Sequence, residues 1–155
     1  MMATVCFVGT DTEGIAQLAE ALARSRAEGD YTTTCANTTD YGEVTREVRE
    51  AVETSRHPVP VAAPRLVESG ELDQHQRVIV LGFRNRQGYV PLPPGIRPSV
   101  EVWPIEPPEE ETDPRHRMRV IRKNLEHRLA RLVYDLKSPE RECCGSGCAN
   151  CVLDR

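Results

Sequence analysis

A chain of 155 residues with 39% hydrophobic and 28% charged residues is long and apolar enough for one domain with its own core. Its 20 basic and 24 acidic residues leave a net charge of −4, which supplies no general electrostatic drive toward nucleic acid or an anionic membrane. No apolar run approaches the roughly 18–20 residues that span a bilayer, and "MMATVCFVGTDTEG" lacks the basic region and long apolar stretch of a secretory signal, so a cytoplasmic, reducing setting is expected.

In chain order, "ATVCFVG" (3–9) is a short apolar run ending at a glycine and reads as a buried strand. "TDTEG" (10–14) is a turn. "IAQLAEALARSRAEG" places Ile15, Leu18, Ala19 and Leu22 on one helical face, with Gly29 as a stop. The β-branched "YTTTCANTT" (31–39) reads as a second strand. "GEVTREVREAVET" sets Val44, Val48, Ala51 and Val52 on one helical face, and the prolines at 58, 60 and 64 then break regular structure. "RLVESGEL" is a candidate short helix. "QRVIVLGF" (76–83) is the clearest buried strand, and after a loop rich in proline and glycine "SVEVW" (99–103) is a fourth. The acidic "PIEPPEEETDP" leads into the longest helix, about 115–136, with a stripe of Met118, Ile121, Leu125, Leu129, Leu132, Val133 and Leu136. Strands alternating with helices predict an α/β domain: a small doubly wound, four-stranded parallel sheet with helices on both faces. The expected division is an α/β domain over 1–137 and a linker with a cysteine-rich tail over 138–155. In such folds ligands sit beyond the carboxyl ends of the strands, here at "GTDTEG".

The opening "CFVGTDTEGIAQLAEAL" resembles the low-molecular-weight protein tyrosine phosphatase and arsenate reductase family. There a strand ends in a loop of form C-x5-R-S, followed by a helix that often contains "MAEAL"; here "LAEAL" occupies 18–22. "VEVWPIEPPEEETD" before a long basic helix resembles the family's "W-D-I-x-D-P" acid loop. The resemblance spans about 3–136 and implies the family's fold. It does not carry the family's chemistry. Anchored on Leu18 to Leu22, the nucleophilic cysteine position falls on Gly9, the arginine on Ile15, the following serine on Ala16 and the acid at about Pro107. Cysteine-based phosphoryl transfer needs a thiolate, a guanidinium clamp and a proton donor. Asp11 and Glu13 would moreover each repel an anion in the loop by roughly 1 kcal/mol or more at an effective dielectric near 20. Cys6, three residues early and inside the strand, reads as a buried apolar side chain. Cys35, near a strand end, is the candidate thiol at the site edge.

Four of the six cysteines close the chain in "CCGSGCANC": Cys143, Cys144, Cys148 and Cys151. Four thiols suit an iron–sulfur cluster or zinc. Their crowding in one run favours the larger cluster, with zinc and metal-free redox thiols as alternatives. The stretch also resembles a short module called the oxidoreductase-like domain, with hallmark "CC-x-x-G-C-x-N-C-V-W". The cysteines, Gly147, Asn150 and Val152 match, and Leu153 stands in place of tryptophan. The resemblance implies metal or redox use of Cys143, Cys144, Cys148 and Cys151.

His57, His75, His116 and His127 show no ligand spacing and read as surface residues. The basic helix over 115–131 could dock nucleic acid, although a solvated face balanced by the acidic loop is the simpler reading. The combined expectation is a catalytically inactive phosphatase-like module that senses or binds, with an unidentified protein partner, no membrane association and a four-cysteine metal site. The alternative is a thiol-dependent reductase that uses the tail cysteines.

Overall fold

The computed structural model describes residues 3–39, 41–68, 70–88, 90, 92, 100–106 and 113–137. Four parallel strands form one sheet in the order β2-β1-β3-β4: β1 (Ala3–Gly9), β2 (Tyr31–Asn37), β3 (Arg77–Phe83) and β4 (Glu101–Ile105). The central strands β1 and β3 are apolar along both faces because both faces are covered. Three α-helices, α1 (Ile15–Arg24), α2 (Arg46–Glu53) and α3 (Pro114–Lys137), join one face in a continuous core with Val5, Phe7, Cys35, Ile79, Leu81 and Trp103. The opposite face carries a smaller cluster of Cys6, Val8, Val78, Val80 and Val90, against which Val67 and Leu72 pack, the latter from a 3₁₀ helix at Glu71–Gln74. The parallel α/β architecture thus matches the sequence reading, with a single 3₁₀ turn as the helical cover of the second face among the described residues.

Boundaries shift where local chemistry overrides pattern. β2 stops at Asn37, whose amide donates to the Arg65 carbonyl and whose carbonyl accepts from the Val67 amide in an isolated parallel bridge. β4 begins two residues later than expected and runs through Pro104. A residue without an N–H is tolerated there because β4 is an edge strand. The helix expected in "RLVESGEL" (65–72) is a 3₁₀ turn that begins only at its last two residues, held by a bidentate pair between Arg65 and Glu71. Val44, read on a helix face, precedes α2 but is buried all the same; α2 starts after Thr45, whose hydroxyl accepts from the Val48 amide.

Helix α1 is buried along Ile15 to Ala23, on every side and not only on its apolar stripe. Its polar residues are therefore paired: Glu20 accepts from Arg24 (2.8 Å) and from the Thr33 hydroxyl (2.7 Å). α3 buries Met118, Ile121, Leu125, Leu129 and Leu132 on one face, as its stripe predicted. Arg122 ties it to the C-terminus of α2, donating to the Ala51 carbonyl (2.8 Å) and the Thr54 hydroxyl (2.9 Å). Trp103 lies edge-on to Phe7, ring centroids 6.1 Å apart. No described helix is long and apolar enough to cross a membrane.

Leu125 is fully buried between α3 and the core, so Leu125→Ala should cost about 2–5 kcal/mol in urea unfolding with an unchanged m-value; a loss under about 1 kcal/mol would show that α3 does not cap this core.

Candidate functional site

The loop from Thr10 to Gly14 lies at the carboxyl end of β1 and feeds α1. Its first residue is anchored to β3: the Thr10 amide donates to the Leu81 carbonyl (3.0 Å). That approach requires a glycine on β3, since a Cβ at Gly82 would sit 1.9 Å from the Thr10 Oγ1. At the other end Gly14 has φ +113°, a left-handed conformation that L side chains rarely adopt, and a Cβ there would strike Val44.

Between these anchors the loop turns its own carboxylate inward. Asp11 Oδ2 accepts from the amides of Glu13 (2.8 Å), Gly14 (2.9 Å) and Ile15 (3.2 Å). Three N–H groups converging on one oxygen at the start of a helix is how proteins hold an anion. Here the anion is a side chain of the loop, and Asp11 is only 8% exposed. Its second oxygen, Oδ1, is buried without a hydrogen-bond partner among the described groups. Glu13 turns outward to a bidentate pair with Arg117 of α3 (2.8 and 3.1 Å), and that guanidinium lies 5.2 Å from the centre of the Phe83 ring. Neither acid is therefore an unpaired charge in an open cradle, as the sequence reading had it. Asp11 occupies the amides, and Glu13 is drawn off by α3.

Below the loop Gln17, Asn37 and Tyr41 form a network that sequence reasoning missed. Gln17 Nε2 donates to Asn37 Oδ1 (2.7 Å), and the Tyr41 hydroxyl donates to Gln17 Oε1 (3.0 Å). Gln17 and Asn37 are fully buried. Burial, and next the Asp11 charge, push the Tyr41 phenol well above its ordinary range, so it remains a neutral donor. The only hint in the sequence is a glutamine between apolar residues of an amphipathic helix.

The described positions matched to the phosphatase pattern, Gly9, Ile15 and Ala16, are interior. Gly9 ends β1, where a Cβ would lie 2.9 Å from both Ala16 Cβ and Asn37 Nδ2. Ile15 and Ala16 are fully buried in the main core. Pro107 and Cys143, Cys144, Cys148 and Cys151 lie outside the described residues. Cys6 is fully buried, as expected. Cys35 is not at the site edge: it is 5% exposed, and parallel pairing places it beside Phe7, facing α1, while Cys6 faces the opposite side of the sheet. Burial raises the Cys6 thiol and pushes the Cys35 thiol up to about 12, the latter aided by the Glu20 charge. His57, His116 and His127 are exposed, and His75 bridges the Thr34 hydroxyl and the Glu71 carbonyl. Among the described residues no group of three or more His, Cys, Asp or Glu side chains could hold a metal ion.

No family model and no curated protein matches the chain. Solved structures do. An arsenate reductase in the phosphate binding state aligns at 21% identity and TM-score 0.69, over 87% of this chain and 99% of that one. An arsenate reductase from Archaeoglobus fulgidus aligns at 22% and 0.64, over 84% and 98%. A low molecular weight protein tyrosine phosphatase from Bacillus subtilis aligns at 17% and 0.62, over 87% and 97%. The chain has the low-molecular-weight phosphatase and arsenate reductase fold. At these identities the likeness is one of fold, and within that fold the loop after β1 holds Asp11 against its amides.

With the four tail cysteines replaced by serine, a thiol reagent at pH 8 should leave Cys6 and Cys35 unmodified for as long as the same chain in urea takes to react fully. Rapid modification of one native thiol would place Cys35 at an accessible edge after all.

Proposed function

We propose that this chain is a phosphatase-fold binding or sensing module whose oxyanion cradle is filled from within, and that it does not hydrolyse phosphate esters. The Asp11 contact with three amides carries this reading. A ligand phosphate would have to displace a covalently tethered carboxylate and then sit beside it. Gly9 offers no nucleophile, Ile15 no guanidinium clamp, and the buried thiols of Cys6 and Cys35 are held in the neutral form, which is a poor nucleophile. The solved relative described as an arsenate reductase in the phosphate binding state supports the view that this fold can offer an anion site; in this chain the resident anion is Asp11.

The reading assigns the α/β domain to 1–137 and a metal-bearing tail to 138–155, with Cys143, Cys144, Cys148 and Cys151 as ligands. Four thiolates within nine residues make a soft donor set suited to an iron–sulfur cluster or, alternatively, zinc. Such a group would supply redox or iron sensitivity, or pin the tail to a protein partner. The reductase alternative draws on the same thiols, because Cys6 and Cys35 point to opposite faces of the sheet and cannot form a relay with each other. It predicts turnover with thioredoxin that is lost in Cys148→Ser or Cys151→Ser.

Wild-type protein should give no calorimetric signal with inorganic phosphate. Asp11→Ala should lose about 0.5–2 kcal/mol of stability as a cap is removed and gain saturable phosphate binding. Hydrolysis of p-nitrophenyl phosphate by the wild type, abolished in Cys6→Ser, would contradict the reading. Anaerobically purified protein should carry iron and sulfide with absorption near 400 nm, both lost when the four cysteines become serine; a colourless protein holding zinc would select the alternative metal.

A further inference from the structure

The basic residues of α3 fall into two sets. Arg115 pairs with Glu50, Arg117 with Glu13, Arg122 with the end of α2 and Lys137 with Glu28, so these four are tethers within the fold. Arg119, Lys123 and Arg131 are exposed and have no ion pair or hydrogen bond among the described residues, and Arg128 lies over the Trp103 ring at 5.8 Å. With the exposed His127, the residues at 119, 123, 127 and 131 follow one another at i, i+4 spacing on one ridge of the helix. At about 1.5 Å of rise per residue the row is about 18 Å long. Three residues beyond Arg131 stands Tyr134, 54% exposed. Beside the row a groove of about 340 Å³ runs to β4, walled by Arg77, Trp103, Arg128 and Arg131. Arg77 is neutralised there by Glu101, and Asp135 is the remaining acid.

Unpaired like charges at i, i+4 cost an isolated helix about 0.2–0.5 kcal/mol per pair. This chain carries 24 acidic residues and a net charge of −4, yet none of its described acids pairs with this row. The arrangement suits a ligand with regularly repeated anions. Guanidinium groups match phosphate oxygens bidentately, and an exposed ring at the end of the row is a platform for a base. The alternatives fit less well. An interfacial membrane helix needs an apolar face against lipid, whereas the apolar face of α3 is spent on the core. A protein partner would want an apolar anchor pocket, and the row is flanked outward by Asn124, Ala130 and Asp135.

We propose that the outward face of α3 binds the phosphate backbone of single-stranded nucleic acid, with Arg119, Lys123, Arg128 and Arg131 as phosphate contacts and Tyr134 as a stacking surface. Fluorescence anisotropy with labelled oligo(U) and oligo(dT) of about 20 nucleotides, a length that exceeds common site sizes, tests this on the full chain. Three to four phosphate contacts predict a slope of about −2 to −3 in log K against log salt. The double variant Lys123→Glu, Arg131→Glu should bind at least tenfold more weakly with an unchanged melting temperature, and Tyr134→Ala should lose about threefold. No binding at low salt, undiminished binding by the double variant, or equal competition by polyglutamate or anionic vesicles would each overturn the proposal.

Discussion

The carboxylate of Asp11, folded back onto the amides of Glu13, Gly14 and Ile15, is the contact on which the rest of the molecule depends. It satisfies the amides of the N-cap Gly14 and of the first helical residue Ile15, donors that a helix start leaves without partners, and that of Glu13 just before them; among the described helices α1 is the one buried on every side. α1 could not enter the core with those donors bare, because a buried donor without an acceptor costs about 1–3 kcal/mol. The residues around the loop are shaped to this arrangement. Gly82 gives way to Thr10, Gly14 adopts a conformation other residues avoid, and Glu13 leaves the loop to meet Arg117.

Around the loop the interior is closely packed: a Cβ at Gly9 would lie 2.9 Å from Ala16 Cβ, and Ile15 is committed to the core. The loop is thereby a structural keystone of the helical face. From α3, Arg117 holds this loop and Arg122 holds the end of α2, while Arg119, Lys123 and Arg131 are exposed.

Much of this was legible in the sequence because it rests on periodicity. The apolar runs at 3–9 and 76–83 and the stripe from Met118 to Leu132 each report burial directly, and the helical face read from Ile15 to Leu22 is α1. What stayed hidden depends on where side chains turn. Asp11 and Glu13 look alike as two acids two residues apart, yet one caps three amides and the other reaches a helix more than a hundred residues away. Cys35 looked like an edge residue because its strand seemed to end near it; parity along the strand instead turns it toward α1. Pro104 suggested a strand end and proved to be an edge strand's tolerated interruption, and the Gln17–Asn37–Tyr41 network joins residues too far apart for any local pattern to reveal.

The central claim is that the loop's anion is its own, and amide NMR tests it at the atoms concerned. The resonances of Glu13, Gly14 and Ile15 should not move when inorganic phosphate is added to the wild-type protein, and all three should shift together in Asp11→Asn. Saturable movement of those three amides in the wild type on phosphate addition would contradict it.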